Sequence, residues 1–580
     1  MGGCAYEFGP FRLESSPRQL LRDRLPVPLT PKALETLLVL VRNHGRLVPK
    51  RELMEAVWPG VYVEDVGLAR NISVLRKALG DGEEDARFIE TVPRQGYRFV
   101  AGVTAGPPAV PAEVERTPMA VAVLPLKRMG AEDREDYLGL GIADALIAKL
   151  STLRQLVVRP TNAVRLYGSP RQDPIVAGRA LRVDWVLDGC MQVRDERLRV
   201  TVQLVRVHDG ATLWAEKYDE RFTDIFALED SISERMAETL AVRLTAEDRS
   251  QLAKRHTGSA EAHHRYLEGR YHWNRRTEDG LRRAIECFNG AIAIDPNHAL
   301  AYVGLADSYT LLGTVTYGAF HRRDVWPRAR AAAARALELD EQLAEAHTSL
   351  AFIKFRYDWD WDGAERGFVR AIELNPHYAT ARQWYAYFLS TRGRHDEALH
   401  EIRCAQQLDP LSLPIATGVG RFLYLAGRYA EAVAECRKAI EMDGTFAGAH
   451  LDLGLIYVQL GRYEEAIGEL QRAVDLSGGS HIPLAHLGHA YGVFGRHDLA
   501  RKVLNELRRL SAQIDVAPSD WAVFHLGLGE TAEAIACLEK AYEERDSFIV
   551  LLKVEPLLSP LYPEPAFQDL VRRLDHRPPR

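Results

Sequence analysis

Residues 65–79 combine side-chain types and spacing that could do specific chemistry. At the helical angle of about 100° per residue, Leu68, Ile72, Leu75 and Leu79 fall on one face, which is therefore the buried one. The far face then holds Val66, Arg70, Ser73 and Lys77, flanked by Asn71 and Val74. A short helix that packs on aliphatic residues and presents Arg, Asn, Ser and Lys outward suits a reader of base edges in the DNA major groove. The same pattern also describes a solvated amphipathic helix, so the elements around it must decide.

Those elements can be read in order. From Tyr6 to Leu29 short apolar runs alternate with turn residues, as in a small antiparallel sheet. Thr30 and Pro31 open a helix, with a capping hydroxyl and proline at the first position. Leu34, Leu37, Leu38 and Val41 form its stripe, Gly45 stops it, and a second helix runs from about Lys50 to Val57. After the third helix come two short strands, Phe88 to Val92 and Tyr97 to Val100. Pro93, Arg94, Gln95 and Gly96 join them, giving a hairpin with an arginine at its tip.

Val48-Pro-Lys-Arg-Glu-Leu, Val57-Trp-Pro-Gly, Asn71-Ile-Ser-Val-Leu-Arg-Lys-Ala-Leu-Gly80 and Ile89-Glu-Thr-Val-Pro-Arg-Gln-Gly-Tyr-Arg-Phe99 closely resemble the OmpR/PhoB-type winged helix. The likeness covers about residues 5–104, and is strongest to the ToxR/CadC-like branch, which lacks a receiver domain. It implies that Arg70, Ser73, Val74 and Lys77 face the major groove and that Arg76 and Thr91 contact the backbone. Arg94 and Tyr97 would belong to the wing as exposed DNA-binding residues, with Arg94 entering the adjacent minor groove. The loop from Trp58 to Asp65 corresponds to one that touches RNA polymerase in this family, although Trp58 itself is expected in the core. Ser73 and Val74 are a departure, because relatives often carry two or more arginines on this face. Residues 1–104 hold 15 Lys and Arg against 13 Asp and Glu, so one copy should bind DNA weakly and with a shallow salt dependence. Useful affinity would need an oligomer on repeated half-sites.

The back half repeats. Ala364, Ala398, Ala432, Ala466, Ala500 and Ala534 recur every 34 residues. Seven residues after them stand Ala371, Ala405, Ala439, Ala473, Leu507 and Ala541. Ala284/Ala291 and Ala329/Ala336 extend the row backwards to eight helix pairs. Extra spacing falls in the stretch from Thr314 to Val325 and near Tyr357 to Trp361. Gly393, Gly427, Gly461, Gly495 and Gly529 mark the turn inside each repeat, where glycine supplies the left-handed backbone that ends a helix. These residues resemble the tetratricopeptide family. The likeness implies a solenoid that binds a peptide or protein in its groove.

Between the two lies a Pro/Ala linker and then an α/β pattern. It comprises a strand from Met119, a helix near residues 136–153, a strand at 156–159, a helix at 174–181, three alternating strands between 184 and 218, and a helix at 225–244. Val123-Leu-Pro, Tyr137-Leu-Gly-Leu-Gly-Ile-Ala-Asp144 and Leu213-Trp-Ala-Glu-Lys-Tyr-Asp219 are similar to the TolB-like module. That module also occurs ahead of tetratricopeptides in chains headed by class III nucleotidyl cyclases. Gly139 and Gly141 lack the third glycine of a dinucleotide fingerprint and read as helix entry. His263 and His264 read as a solvated pair.

The composition, 47% hydrophobic and 27% charged with net charge −6, excludes a general polyanion binder and a disordered chain. No apolar run is long enough to span a membrane and the first residues do not form a signal peptide, so a cytoplasmic protein is expected. The six cysteines form no Cys-x-x-Cys and are expected as reduced thiols. Catalytic, cofactor and metal motifs are absent from the reading, and a non-enzyme is expected. The expected fold class is multidomain and mainly α: a winged helix-turn-helix (1–104), a linker (105–118), a TolB-like α/β domain (119–245), a second linker (246–262) and an α-solenoid of about eight tetratricopeptide repeats (263–580). The function this predicts is a soluble one-component transcriptional regulator that binds double-stranded promoter DNA, with a protein or peptide ligand for the repeats. The alternative is an interaction scaffold in which the winged helix only docks.

Overall fold

In the computed structural model the described residues are 5–15, 18–22, 25–27, 29–58, 65–81, 88–106, 119–129, 137–169, 171–194, 197–221, 225–240, 242, 244–275, 277–313 and 322–575. They divide into two compact units, residues 1–117 and 118–580.

The first unit opens with an antiparallel sheet of β1 (Ala5–Phe8), β2 (Phe11–Ser15), β3 (Arg18–Arg22) and β4 (Leu25–Val27). It continues through α1 (Pro31–Arg42), β5 (Leu47–Pro49), α2 (Lys50–Val57) and α3 (Asp65–Leu79) to the hairpin β6 (Ile89–Val92) and β7 (Gly96–Phe99). Thr30 caps α1 by accepting from the Ala33 amide at 3.3 Å, and Gly45 takes the left-handed conformation beyond its end, φ +77°. β8 (Thr104–Gly106) returns to pair with β1, so the first residues of the expected linker belong to this sheet. Phe8, Phe11, Phe88 and Phe99 cluster where the amino-terminal sheet meets the hairpin, with Phe8 and Phe99 edge to face at 5.0 Å.

The second unit begins with a mixed sheet ordered β11-β9-β12-β13-β14, its strands being β9 (Met119–Val123), β11 (Leu156–Val158), β12 (Trp185–Arg194), β13 (Arg197–Arg206) and β14 (Thr212–Arg221). The two-residue β10 (Lys127–Arg128) adds to β12. Around this sheet lie α4 (Tyr137–Leu150), α5 (Thr161–Val164), α6 (Pro174–Leu181) and α7 (Ile225–Thr239). Part of the expected second linker is helical, α8 (Ala246–Leu252), started by a capping box of Thr245 and Asp248.

Eight antiparallel helix pairs follow among the described residues: α9 (Ala260–Asn274) with α10 (Glu278–Ile294), α11 (Ala299–Gly313) with α12 (Arg322–Leu339), α13 (Ala344–Ile353) with α14 (Trp361–Leu374), α15 (Ala379–Thr391) with α16 (His395–Leu408), α17 (Leu413–Leu425) with α18 (Tyr429–Met442), α19 (Ala447–Gln459) with α20 (Tyr463–Leu476), α21 (His481–Val493) with α22 (His497–Ser511), and α23 (Pro518–Gly527) with α24 (Thr531–Glu543). Both members of every alanine pair, Leu507 included, are 0% exposed, so the 34-residue period is a period of helix contact. The five repeat glycines all have φ between +69° and +77°. The extra residue near Tyr357 is absorbed as a widened, π-type turn over Lys354–Asp358. The other insertion falls largely on residues 314–321, outside the described residues.

After α24 the chain turns back through Ser547–Leu551 and Pro556–Leu561 to α25 (Pro565–Asp575). This segment packs back on α17 and on the end of α15. Glu555 accepts from Arg421 Nη2 and from the Tyr424 hydroxyl, both at 2.5 Å. Arg392 reaches Asp575 at 3.4 Å.

Candidate nucleic-acid interface

Packing decides which face of α3 is free. Leu68, Ile72, Leu75 and Leu79 are buried in one core with Leu34, Leu37 and Val41 of α1. Each contributes about 1.5–3 kcal/mol on leaving water. Polar bonds tie down the flanks. Asn71 Nδ2 donates to Thr36 Oγ1 at 3.2 Å, and Arg76 Nη2 donates to Ile89 O at 3.0 Å and to Thr91 Oγ1 at 2.8 Å. Asp81 then accepts from the amides of Phe88 and Ile89 at 3.1 and 2.7 Å, which sets the start of the hairpin.

Arg70, Ser73, Val74 and Lys77 remain on the outer face, all exposed. Val74 is an aliphatic side chain that no packing demand places in solvent, 37% exposed. Among the described residues Arg70, Lys77 and Arg94 make no ion pair. The Val66 side chain lies outside the described residues.

At the hairpin tip Arg94 is exposed with φ +63°, a left-handed conformation uncommon outside glycine. The turn imposes it, closing with Gln95 N donating to Val92 O at 3.1 Å. Gly96 pins the hairpin to β5, since a Cβ there would sit 2.1 Å from Val48 O. The register Pro49↔Gly96 and Val48↔Tyr97 follows.

Tyr97 corrects the sequence expectation. It is 7% exposed and part of the core, on the same side of β7 as Phe99. Strand alternation dictates this: residues two apart share a face, and Phe99 points inward. By the bonds given above, Arg76 and Thr91 join α3 to the hairpin and Asn71 ties α3 to α1. Trp58 is half-buried against the core, and the rest of its loop, residues 59–64, lies outside the described residues.

Two other expectations meet the structure in the second unit. Gly139 and Gly141 lie inside α4 and serve close approach, because added Cβ atoms would meet Leu126 O at 2.2 Å and Leu267 Cβ at 2.9 Å. The solvated His263/His264 pair is not seen. His263 is 7% exposed and bonded to Glu229 at 2.9 Å, and His264 meets the Tyr137 hydroxyl at 2.7 Å. Both sit where α9 packs on the α/β module, a contact that a one-dimensional repeat pattern does not reveal.

Comparison with known proteins bears on this geometry. Residues 24–99 match the family model described as transcriptional regulatory protein, C terminal, and residues 423–480 match one for tetratricopeptide repeats. The chain carries an OmpR/PhoB-type regulatory domain ahead of tetratricopeptide repeats. Residues 117–235, which take in most of the stretch 119–245 expected to be TolB-like, match a model described as HilA/YgeH-like transcriptional regulator, second domain. The transcriptional regulator HilA of Salmonella typhi is 26% identical over 396 residues, 67% of this chain and 68% of that one. A putative adenylate cyclase 3 of Rhizobium meliloti is 29% identical over 203 residues, 34% of this chain and 33% of that one. The transcriptional activator CadC of Escherichia coli K12 is 28% identical over 122 residues, 19% of this chain and 24% of that one. Among the described residues no helix is long and apolar enough to cross a membrane.

Proposed function

We propose that this chain is a one-component transcriptional regulator acting in the cytoplasm, without a catalytic step. The observation that carries the reading is the outward face of α3: polar and apolar side chains of base-reading type, exposed and without ion pairs among the described residues, on a helix locked to its core and its hairpin. Arg70, Ser73, Val74 and Lys77 enter the major groove and Arg94 the adjacent minor groove. Asn71, Arg76, Thr91 and Tyr97 hold the reading helix and wing in place, with Arg76 and Thr91 also close to the phosphate backbone. The near-neutral charge of the first unit makes two or more copies on repeated half-sites the binding form. The loop from Trp58 to Asp65 is the proposed contact for RNA polymerase. The repeats receive a protein or peptide partner, which docks outside the stretch covered by the chain's own carboxy-terminal segment or displaces it.

Selection of genomic DNA fragments by the full-length protein, with Arg70→Ala/Arg94→Ala in parallel, tests this. A repeated motif enriched by the wild type and lost in the double variant is expected. Binding that salt does not weaken, with no enriched motif, would select the scaffold reading, which the near-neutral domain charge favours.

A further inference from the structure

Helix α9 has two occupied faces. His263, His264, Leu267 and Arg270 meet the α/β module, where Arg270 holds Asp144 through Nε at 2.7 Å and Nη2 at 3.0 Å. The opposite face meets α10, so closely that a Cβ on Gly269 would lie 2.6 Å from the Phe288 ring. On this second face Glu268 and His272 stand one helical turn apart, and Cys287 of α10 faces them. One ligand atom from each, carboxylate oxygen, imidazole nitrogen and thiol sulfur, lies within 4.8 Å of the others. His272 is 6% and Cys287 9% exposed, so two of the three donors are withdrawn from bulk water. Glu268 uses Oε2 to hold Arg265 at 3.1 Å, and its carboxylate also accepts from the Cys287 thiol, the proton that a cation between them would replace.

We infer that Glu268, His272 and Cys287 form a binding site for a zinc-class transition-metal ion in the helical hairpin that carries the α/β module. The donor set, one sulfur, one nitrogen and one carboxylate oxygen, suits a borderline-soft divalent ion and not magnesium or calcium, which take oxygen ligands. A tetrahedral zinc with bonds of about 2.0–2.3 Å keeps its ligand atoms roughly 3.4–3.8 Å apart, so the side chains need to close by only about 1 Å. Three protein donors leave a fourth position for water or another ligand. Binding exchanges the thiol proton for the metal ion, the proton going to solvent. The spacing hides from motif searches: Glu268 and His272 are four apart, and Cys287 comes from the next helix with no second cysteine nearby in sequence.

The ion would clamp α9 to α10, and α9 is the helix on which the α/β module rests. This site does not depend on the DNA-binding reading, and its test uses no DNA. Full-length protein stripped with chelator is titrated with Co2+, reading absorption for thiolate-to-cobalt charge transfer and the visible bands of a four-coordinate ion. One equivalent per chain is expected, displaced by Zn2+, with a rise in melting temperature on zinc addition. Cys287→Ser should abolish the charge-transfer band. Cys404→Ser should keep it, although Cys404 lies 3.7 Å from His400 and is the competing thiol–imidazole pair. Glu268→Gln, with its metal-free circular dichroism recorded as the control for folding, should weaken binding tenfold or more. No cobalt band in the wild type, a band that survives Cys287→Ser, or Glu268→Gln binding with wild-type affinity would each overturn the assignment.

Discussion

Three cations of the first unit and three of the second are placed in opposite ways. In the winged helix Arg70, Lys77 and Arg94 are exposed and make no ion pair among the described residues. In the second unit Arg421 is enclosed by Glu555 at 2.5 Å and Asp452 at 3.7 Å, Arg270 grips Asp144, and Arg159 donates to the carbonyls of Gln407 and Leu408 at 3.1 and 2.5 Å. An exposed cation contributes little to folding and keeps its hydrogen-bonding capacity for another molecule. A buried guanidinium is costly to desolvate, and stands only while its partner stands. The winged helix therefore holds Arg70, Lys77 and Arg94 ready for an external anion, whereas Arg159, Arg270 and Arg421 join parts of the second unit that are distant in sequence.

The largest effect should come from separating a buried pair. Glu555→Ala leaves Arg421 enclosed with the more distant Asp452 and removes the anchor of the carboxy-terminal segment on α17. A loss of about 3–5 kcal/mol in array stability is expected, read from the denaturant midpoint of the full-length chain. A shift below about 1 kcal/mol would mean the segment is held by Leu557, Leu558 and Leu561 alone, and the contrast between the units would fail on this side.

The mirror experiment belongs to the winged helix. Arg70→Ala should change stability by no more than about 0.5 kcal/mol while costing about 1–3 kcal/mol in affinity for the selected operator. Equal loss on operator and on random DNA would make Arg70 a phosphate contact and remove it from the base-reading set. Lys77→Ala sharpens the point: if it neutralises a phosphate, the slope of log affinity against log salt should shrink by about 1.

The parts of this molecule that could be read from sequence are those governed by local rules. The period of α3, the cap at Thr30, the alanine rows and the left-handed glycines each follow from neighbours within a few turns. Tyr97 was also within reach, since two-residue alternation from Phe99 places it inward, but the resemblance drew it to the surface. What lay beyond reach was contact between segments far apart in sequence. His263 against Glu229, Arg159 on the end of α16 and Glu555 on Arg421 all depend on how the α/β module and the returning carboxy-terminal segment meet the repeats. A repeat period fixes nearest-neighbour packing and not what returns to fill the face it creates.

Acid separates the units more finely. The first unit contains a single histidine, His44, which is exposed, whereas His298 in the array is 0% exposed and neither ring nitrogen has a hydrogen-bond partner. Burial pushes the His298 imidazole down to about 3. In the unfolded chain the same group titrates near 6.5. Above that pH it is neutral in both states and contributes nothing to the pH dependence. Between about 6.5 and 3 the unfolded chain takes up a proton that the folded array refuses, so stability falls as pH falls, by up to about 1.4 kcal/mol per pH unit. His256 and His489, lowered by burial to about 4, act in the same direction, while Asp409 and Asp452, raised by burial to about 6, act against it. The net slope of the wild type therefore mixes signs, and only a difference isolates one group. His298→Phe keeps a flat ring beside Tyr266, whose centroid is 5.1 Å away, and removes the titration. Measured from pH 7 to pH 5, the stability advantage of the variant over the wild type should grow as pH falls. A constant difference would mean that water reaches the imidazole in the folded array, and that this face of α9 is open where the structure closes it.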